Sequence, residues 1–317
     1  MWQSGRVSSD EVRDTVSLTN LDQELFDGAS ATKRDLVDYL DGVRERMLPG
    51  LRDRPLSVVR VRPGQEPFMQ KNVPKYTPSW VRTVPVWAET SKRSISYAVC
   101  DDRRTLLWFA NQRAVEYHVP LSPLESPATH LVIDLDPPEG VGFEVVVAAA
   151  ALVRQALAND GLTGIVKTSG AKGVHVLVPL APTPPDDVAA ATRALAARAE
   201  RVDPEVATTA YIKEDREGKV FLDSTRAYGA TLVAAYSPRI RPGTQVSFPV
   251  AWDDLDRVTP ADFTVRTALS LPDPWADGVP SGQVLPEDLV VEGRGIPVAR
   301  VQAMHEGKRR RAKERES

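Results

Sequence analysis

The stretch His130-Leu-Val-Ile-Asp-Leu-Asp-Pro-Pro138 is short, apolar and β-branched, and it stops at a double proline, so it is a strand. Alternation along a strand puts Asp134 and Asp136 on one face and Ile133 and Leu135 on the other. Two neighbouring carboxylates repel, and a hard divalent cation with oxygen ligands satisfies both. Asp-x-Asp spacing also occurs in sugar-transferring enzymes, calcium loops and turn caps, so this piece alone leaves the chemistry open.

Working outward, GFEVVVAAAALVRQALAND (142–160) is a helix, followed by strands in GIVKTSG and HVLVPL. PPDDVAAATRALAARAERV (184–202) is a helix with Asp186 or Asp187 near its N-cap. KVFLDS and TLVAAYS are strands. On the other side, Thr32-Lys-Arg-Asp35 has the form of a capping box, opening a helix through LVDYLDGVRERML that stops at Pro49-Gly50. PLSVVRVR (55–62) is a strand, a proline-punctuated stretch runs to Trp80, and SISYAVC and TLLWFANQRAVEYH supply further strands and a helix. Without regular βαβ alternation, the expected class is α+β rather than doubly wound. The expected division is an N-terminal arm (1–16), one catalytic domain (17–292) and a basic, flexible tail (293–317).

The 317 residues carry 40 Lys+Arg against 43 Asp+Glu, a net charge of −3. That balance speaks against a nucleic-acid partner, but it hides segregation. Arg44 to Arg93 holds eleven basic and four acidic residues, +7; Trp252 to Glu292 is −7, and Gly307 to Ser317 is +4. A single cysteine, Cys100, excludes an internal disulfide framework and a multi-thiolate zinc site. The N-terminus has no apolar run of a secretory signal, and no window is apolar enough to span a membrane. A cytoplasmic protein is expected.

Three more stretches bear on chemistry. In Lys167-Thr-Ser-Gly-Ala-Lys-Gly-Val-His175, two glycines bracket a turn where backbone N–H groups, Ser169, Lys172 and His175 can converge on phosphate oxygens; an ordinary hairpin with a solvent-facing lysine fits equally well. In Arg216-Glu-Gly-Lys-Val-Phe-Leu-Asp223, strand alternation puts Lys219, Phe221 and Asp223 on one face, and a carboxylate from a separate strand is what a two-metal site needs. Ala235-Tyr-Ser-Pro-Arg-Ile-Arg-Pro-Gly243 offers Arg239 and Arg241 to a triphosphate or a template backbone.

LVIDLDPPEG, TSGAKGVHV, REGKVFLD and YSPRIRPG occur in that order, preceded by SLTNLDQELF, TKRDLVDYL, RPLSVVRV, FMQKN and NQRAVEYH. From about Ser17 to about Leu271 the chain resembles the polymerase domain of bacterial DNA ligase D, in the archaeo-eukaryotic primase superfamily. The resemblance implies an RRM-like antiparallel catalytic sheet with an N-terminal α/β module around a cleft. It implies template-directed nucleotide addition with a preference for ribonucleotides, two Mn²⁺ or Mg²⁺ ions, and NTP or dNTP substrates. It assigns Asp134, Asp136 and Asp223 as the catalytic, metal-binding carboxylates. Ser169, Lys172, His175 and Arg239 become triphosphate ligands, and His118, Arg60 and Lys219 further nucleotide or primer-template contacts. Lys33, Phe68, Met69 and Lys71 fall where the family binds DNA.

Two departures stand out. The family's first 5′-phosphate lysine is Gln23 here, while Lys33 remains, and the family's Phe-Phe template platform is Phe68-Met69. No Lys-x-Asp-Gly motif of an adenylating ligase is present. The expectation is a monomeric, stand-alone, nucleoid-associated gap-filling polymerase acting on gapped or primer-template DNA, with a separate ATP-dependent ligase and Ku as possible partners. Competing readings are a primer-synthesising primase, an end-joining polymerase, a non-catalytic nucleic-acid binder and an Asp-x-Asp sugar transferase.

Overall fold

The computed structural model describes residues 10–88, 92–227, 230–276 and 278–298. Two compact units make up the chain. One comprises Met1–Val119, Val233–Phe248 and Pro260–Asp273; the other comprises Pro120–Leu232, Pro249–Thr259 and Pro274–Ser317. The class is mixed α+β with antiparallel sheets.

The first unit begins with a hairpin, β1 (Glu11–Arg13) and β2 (Val16–Leu18). Asp14 and Thr15 between them have φ of 46° and 62°, the primed geometry that matches strand twist in a two-residue turn. Val16 and Leu18 are buried, so the expected arm is ordered structure from Glu11 onward; residues 1–9 lie outside the described part. The capping box at Thr32 and Asp35 is present. The helix it opens is two helices, α1 (Lys33–Gly42) and α2 (Arg44–Leu51), broken at Val43 (φ −92°, ψ 4°). Arg44 takes the Asp41 carbonyl at that break (2.6 Å). Pro49 does not end α2: it sits in the last turn, where its missing N–H costs the helix one bond on the exposed side. The sheet runs β7-β3-β6-β5, with β4 also beside β3. Its strands are β3 (Pro55–Arg62), β4 (Gln65–Gln70), β5 (Thr83–Ala88), β6 (Arg93–Val99) and β7 (Ala114–Pro120), with α3 (Arg103–Asn111) before the last.

The second unit is built on the sheet β11-β12-β8-β10-β9-β14. Its strands are β8 (Ala128–Asp136), β9 (Ile165–Thr168), β10 (Val174–Thr183), β11 (Ala207–Thr208), β12 (Val220–Asp223) and β14 (Pro249–Val250). Only β11 and β12 run parallel among the paired strands described. TLVAAYS is strand only over β13 (Thr231–Val233). The helices α4 (Phe143–Asn159) and α5 (Pro185–Val202) lie against β8. Val146, Ala149, Ala150, Val153 and Leu157 bury at helical spacing, giving α4 its core stripe. Pro184, not an aspartate, caps α5; Asp186 and Asp187 fall in its first turn, where their charge interacts favourably with the positive end of the helix dipole. The last described helix, α6 (Glu287–Gly295), packs on α5 and runs two residues past the expected start of the tail. A Cβ on Gly293 would lie 1.8 Å from the Ala190 carbonyl oxygen, so this close packing needs glycine. The tail beyond 298 lies outside the described residues.

Candidate active site

Register assembles the centre of the second unit. Across four strands, Lys167 (β9) sits opposite His175 (β10), His175 opposite Asp134 (β8), and Asp134 opposite Asp223 (β12). These residues form one row perpendicular to the strands, their side chains on one face. Asp136 shares that face two residues along β8. Ligand oxygens of Asp134, Asp136 and Asp223 lie within 4.8 Å of one another. On the opposite face Leu131, Ile133 and Leu135 are fully buried, which fixes the strand's orientation: a one-residue slip would put the carboxylates into the core.

The charges are unequally compensated. His175 Nε2 lies 3.2 Å from Asp134 Oδ1, and Arg226 donates to Asp134 Oδ2 at 2.7 Å. Burial alone would raise the Asp134 pKa; His175 and Arg226 outweigh it and hold the carboxyl well below the usual range. Arg226 also lies 3.1 Å from Asp223 Oδ2, and Thr225 donates to Asp223 Oδ1 from its hydroxyl (2.6 Å) and its N–H (2.8 Å). Burial, then Asp134 and Asp223, push Asp136 up to about 6. Three clustered carboxylates facing one arginine leave a deficit of positive charge, and their oxygens suit a hard divalent cation. Arg226 already stands as a cation between two of them, so the donor set fits such an ion.

At the β9 end of the row, Lys167 is buried and donates to His175 Nδ1 at 2.7 Å. That commits Nδ1 as acceptor and turns an Nε2–H toward Asp134. In the adjoining turn, Ser169 Oγ accepts from the N–H groups of Ala171 (3.2 Å) and Gly173 (3.0 Å), so the hydroxyl shapes its own loop. A Cβ on Gly173 would lie 2.2 Å from the Leu135 carbonyl oxygen, so only glycine lets the turn sit this close to β8. Lys172 is exposed on that turn. Lys219 precedes β12 rather than lying on it, and pairs with Glu217 at 3.4 Å.

The other expected residues lie in the first unit. His118 and Arg239 both meet Glu116: His118 Nε2 donates at 2.9 Å, and Arg239 Nε forms an ion pair at 3.0 Å. Arg60 is buried and braced by the Gln112 carbonyl (2.8 Å), Gln112 Oε1 (3.0 Å) and Gln70 Oε1 (2.7 Å). Its guanidinium lies 5.7 Å, and that of Arg62 4.8 Å, from the Phe68 ring centre. Met69 and Lys71 are exposed beside Phe68. Lys33 is not at the surface: its Nζ donates to the Thr19 carbonyl (2.6 Å) and Asn111 Oδ1 (2.7 Å), and burial, with Arg113 nearby, lowers its pKa to about 8. Gln23 accepts from Arg113 at 2.5 Å.

Sequence reasoning missed Arg226, Lys167 and Glu116. Lys167 carried a signal, a lysine inside an apolar strand; Glu116 carried a weaker one, alternating with His118 in Val-Glu-Tyr-His. Arg226 carried only its position three residues after Asp223.

Comparison with known proteins adds the following. The family model "LigD, primase-polymerase domain" matches residues 32–276. The bifunctional non-homologous end joining protein LigD of Bacillus subtilis is 34% identical over 269 residues, covering 82% of this chain and 43% of that protein. The multifunctional non-homologous end joining DNA repair protein LigD of Mycobacterium tuberculosis is 35% identical over 257 residues, 76% of this chain and 33% of its own length. The chain thus spans less than half of these curated relatives. The solved polymerase domain from M. tuberculosis ligase D in complex with DNA superposes with a TM-score of 0.74 at 34% identity, covering 89% of this chain and 99% of that one.

Proposed function

The chain belongs to the family of LigD primase-polymerase domains, and from that premise we propose that it is a template-directed nucleotidyltransferase that extends a primer 3′-hydroxyl, filling short gaps during DNA repair. The observation that carries the proposal is the row Lys167–His175–Asp134–Asp223 with Asp136 beside it.

In this reading Asp134, Asp136 and Asp223 hold two divalent ions, Mn²⁺ or Mg²⁺. Bound there, the ions supply acidification of the 3′-hydroxyl and offset charge on the attacking and leaving oxygens of an in-line displacement. The protein does the positioning. His175, oriented by Lys167, fixes Asp134; Thr225 fixes Asp223; Arg226 partly neutralises both before the ions arrive. Lys172, with the backbone of the Ser169–Gly173 turn, and the pair His118 and Arg239 serve the triphosphate; Arg60 and Lys219 serve nucleotide or primer-template. Phe68, Met69 and Lys71 serve DNA, with base stacking on Phe68. Ribonucleotide preference, partnership with a separate ligase and Ku in end joining, and a nucleoid location belong to the same proposal, supported by the family and by the DNA bound to its solved relative.

Primer extension on short-gapped duplexes with Mn²⁺, offering ribo- and deoxynucleotides in parallel, tests it. The expected result is templated addition that needs the metal and is abolished in Asp134→Ala; extension that survives that substitution would overturn it. The same assay without primer separates a polymerase from a primase.

A further inference from the structure

Glu116 lies at the middle of β7, opposite Val59 of β3, and is buried. Its two oxygens are divided between partners. Oε2 accepts from His118 Nε2 at 2.9 Å; Oε1 accepts from the Ile240 backbone N–H at 3.0 Å and lies 3.0 Å from Arg239 Nε. Burial pushes its pKa up, and His118, Arg239 and the Ile240 N–H overcome that and bring it to about 2. The carboxylate is therefore charged and saturated with donors.

The segment that brings Arg239 is held independently. Tyr236 has φ +65°, a conformation costly for a residue with a side chain, and its backbone is locked from both ends. Tyr236 N–H donates to the Ser247 carbonyl (2.7 Å), and its carbonyl accepts from Tyr39 Oη (2.8 Å). Tyr117 N–H donates to Ser237 Oγ (2.9 Å), and Arg239 N–H to the Gln245 carbonyl (2.7 Å). The backbone at 236–239 does not need Glu116 to hold its place. A buried carboxylate shared between two basic side chains adds little stability over apolar packing; what it supplies is direction. It commits His118 through Nε2, so the ring meets a ligand through Nδ1. It holds the Arg239 guanidinium in an ion pair on the same carboxylate that takes His118, so one group sets the place of both.

We propose that Glu116 is the positioning residue for nucleotide-phosphate recognition: it fixes His118 and Arg239 in one arrangement, so that both meet the triphosphate pre-organised. The proposal rests on the reading of His118 and Arg239 as nucleotide ligands. Glu116→Gln replaces one acceptor by a donor and cannot satisfy His118, Arg239 and Ile240 together. Glu116→Asp keeps the charge but is one methylene short.

The test measures nucleotide KM and kcat in primer extension, Mn²⁺–ATP binding by calorimetry without DNA, and duplex binding by fluorescence anisotropy. Glu116→Gln is expected to raise KM and weaken Mn²⁺–ATP binding about tenfold, with kcat within about threefold and DNA affinity unchanged. Glu116→Asp falls between it and the parent, so the test survives if the glutamine variant fails to fold. In the double variant Glu116→Gln/Arg239→Ala, the loss exceeds that of Arg239→Ala by the His118 share only and stays below the product of the two single losses, as expected of one coupled unit. An unchanged KM in Glu116→Gln, additive losses in the double variant, or an equal drop in DNA affinity would overturn the proposal. If His118→Ala and Arg239→Ala leave nucleotide binding untouched while Asp134→Ala abolishes turnover, the assignment of those two ligands falls instead, and the role of Glu116 with it.

Discussion

Asp136 in the second unit, partly exposed, and Glu116 in the first, buried, are both strand carboxylates, each two residues from a functional group on the same face. Burial penalises the charge on both. Asp136 nevertheless rises to about 6, because Asp134 and Asp223 add repulsion, whereas Glu116 falls to about 2, because His118, Arg239 and a backbone N–H surround it. The difference is between a cluster short of positive charge and one that is complete. The first offers carboxylate oxygens that suit a cation from solution; the second already has an arginine, a histidine N–H and a backbone N–H against it.

The strongest way to break this contrast is to empty the incomplete cluster. Asp134→Ala or Asp223→Ala is expected to reduce nucleotide incorporation by about a thousandfold or more, since both remove a ligand on which the charge-offsetting ions depend. Steady-state primer extension measures it, and Mn²⁺ titration followed by electron paramagnetic resonance should show the same variants losing ion affinity.

Stability against pH separates the clusters by sign. Asp136 has a folded pKa above its ordinary 3.8, so it favours folding below about pH 4 and loses that contribution as pH rises through 6. Glu116 has a folded pKa below its ordinary 4.5, so its contribution is present above that value and lost as pH falls toward 2. In chelator at pH 7.5, Asp136→Asn is therefore expected to stabilise the protein by up to about 2 kcal/mol, and Glu116→Gln to destabilise it by about 2 kcal/mol. Urea unfolding across pH 2.5 to 8 checks both, and added Mn²⁺ at pH 7.5 should erase the advantage of the asparagine variant.

A smaller effect concerns the 5′-phosphate. With Gln23 where the family has a lysine, and Lys33 spent on Thr19 and Asn111, removing the 5′-phosphate from a gapped duplex should weaken binding by only about threefold, the size of an exposed ion pair. Anisotropy on the two duplexes measures it; a much larger loss would mean that Lys33 leaves its buried partners to meet the phosphate. The smallest effect is expected at the first helix: Thr32→Ala removes its cap and costs about 1 kcal/mol in unfolding experiments, with incorporation unchanged.

Much of the site was legible because its signals are local. Asp134 and Asp136 announce a shared face by spacing alone, the Thr32–Asp35 box announces a helix start, and PLSVVRVR is β3 to the residue. The helix expected to open at the Thr32 cap and stop at Pro49-Gly50 breaks at Val43, where the Arg44 side chain takes the Asp41 carbonyl, and no periodicity records that. Lys33 and Arg60, read as DNA and nucleotide contacts, are buried and bonded to the Thr19 and Gln112 carbonyls, because a side-chain type says nothing about which carbonyls lie within reach.

From residue order and composition alone came the α+β class, most of the strands and helices, the three carboxylates and the family. Those follow from alternation, capping and motif order, all set by neighbours in sequence. Only the tertiary structure decided that Lys167 stands behind His175, that Arg226 bridges Asp134 and Asp223, and that Glu116 joins His118 to Arg239 more than a hundred residues away. Strand order and register bring such groups together, and the energy of a buried charge depends on what surrounds it in space rather than along the chain.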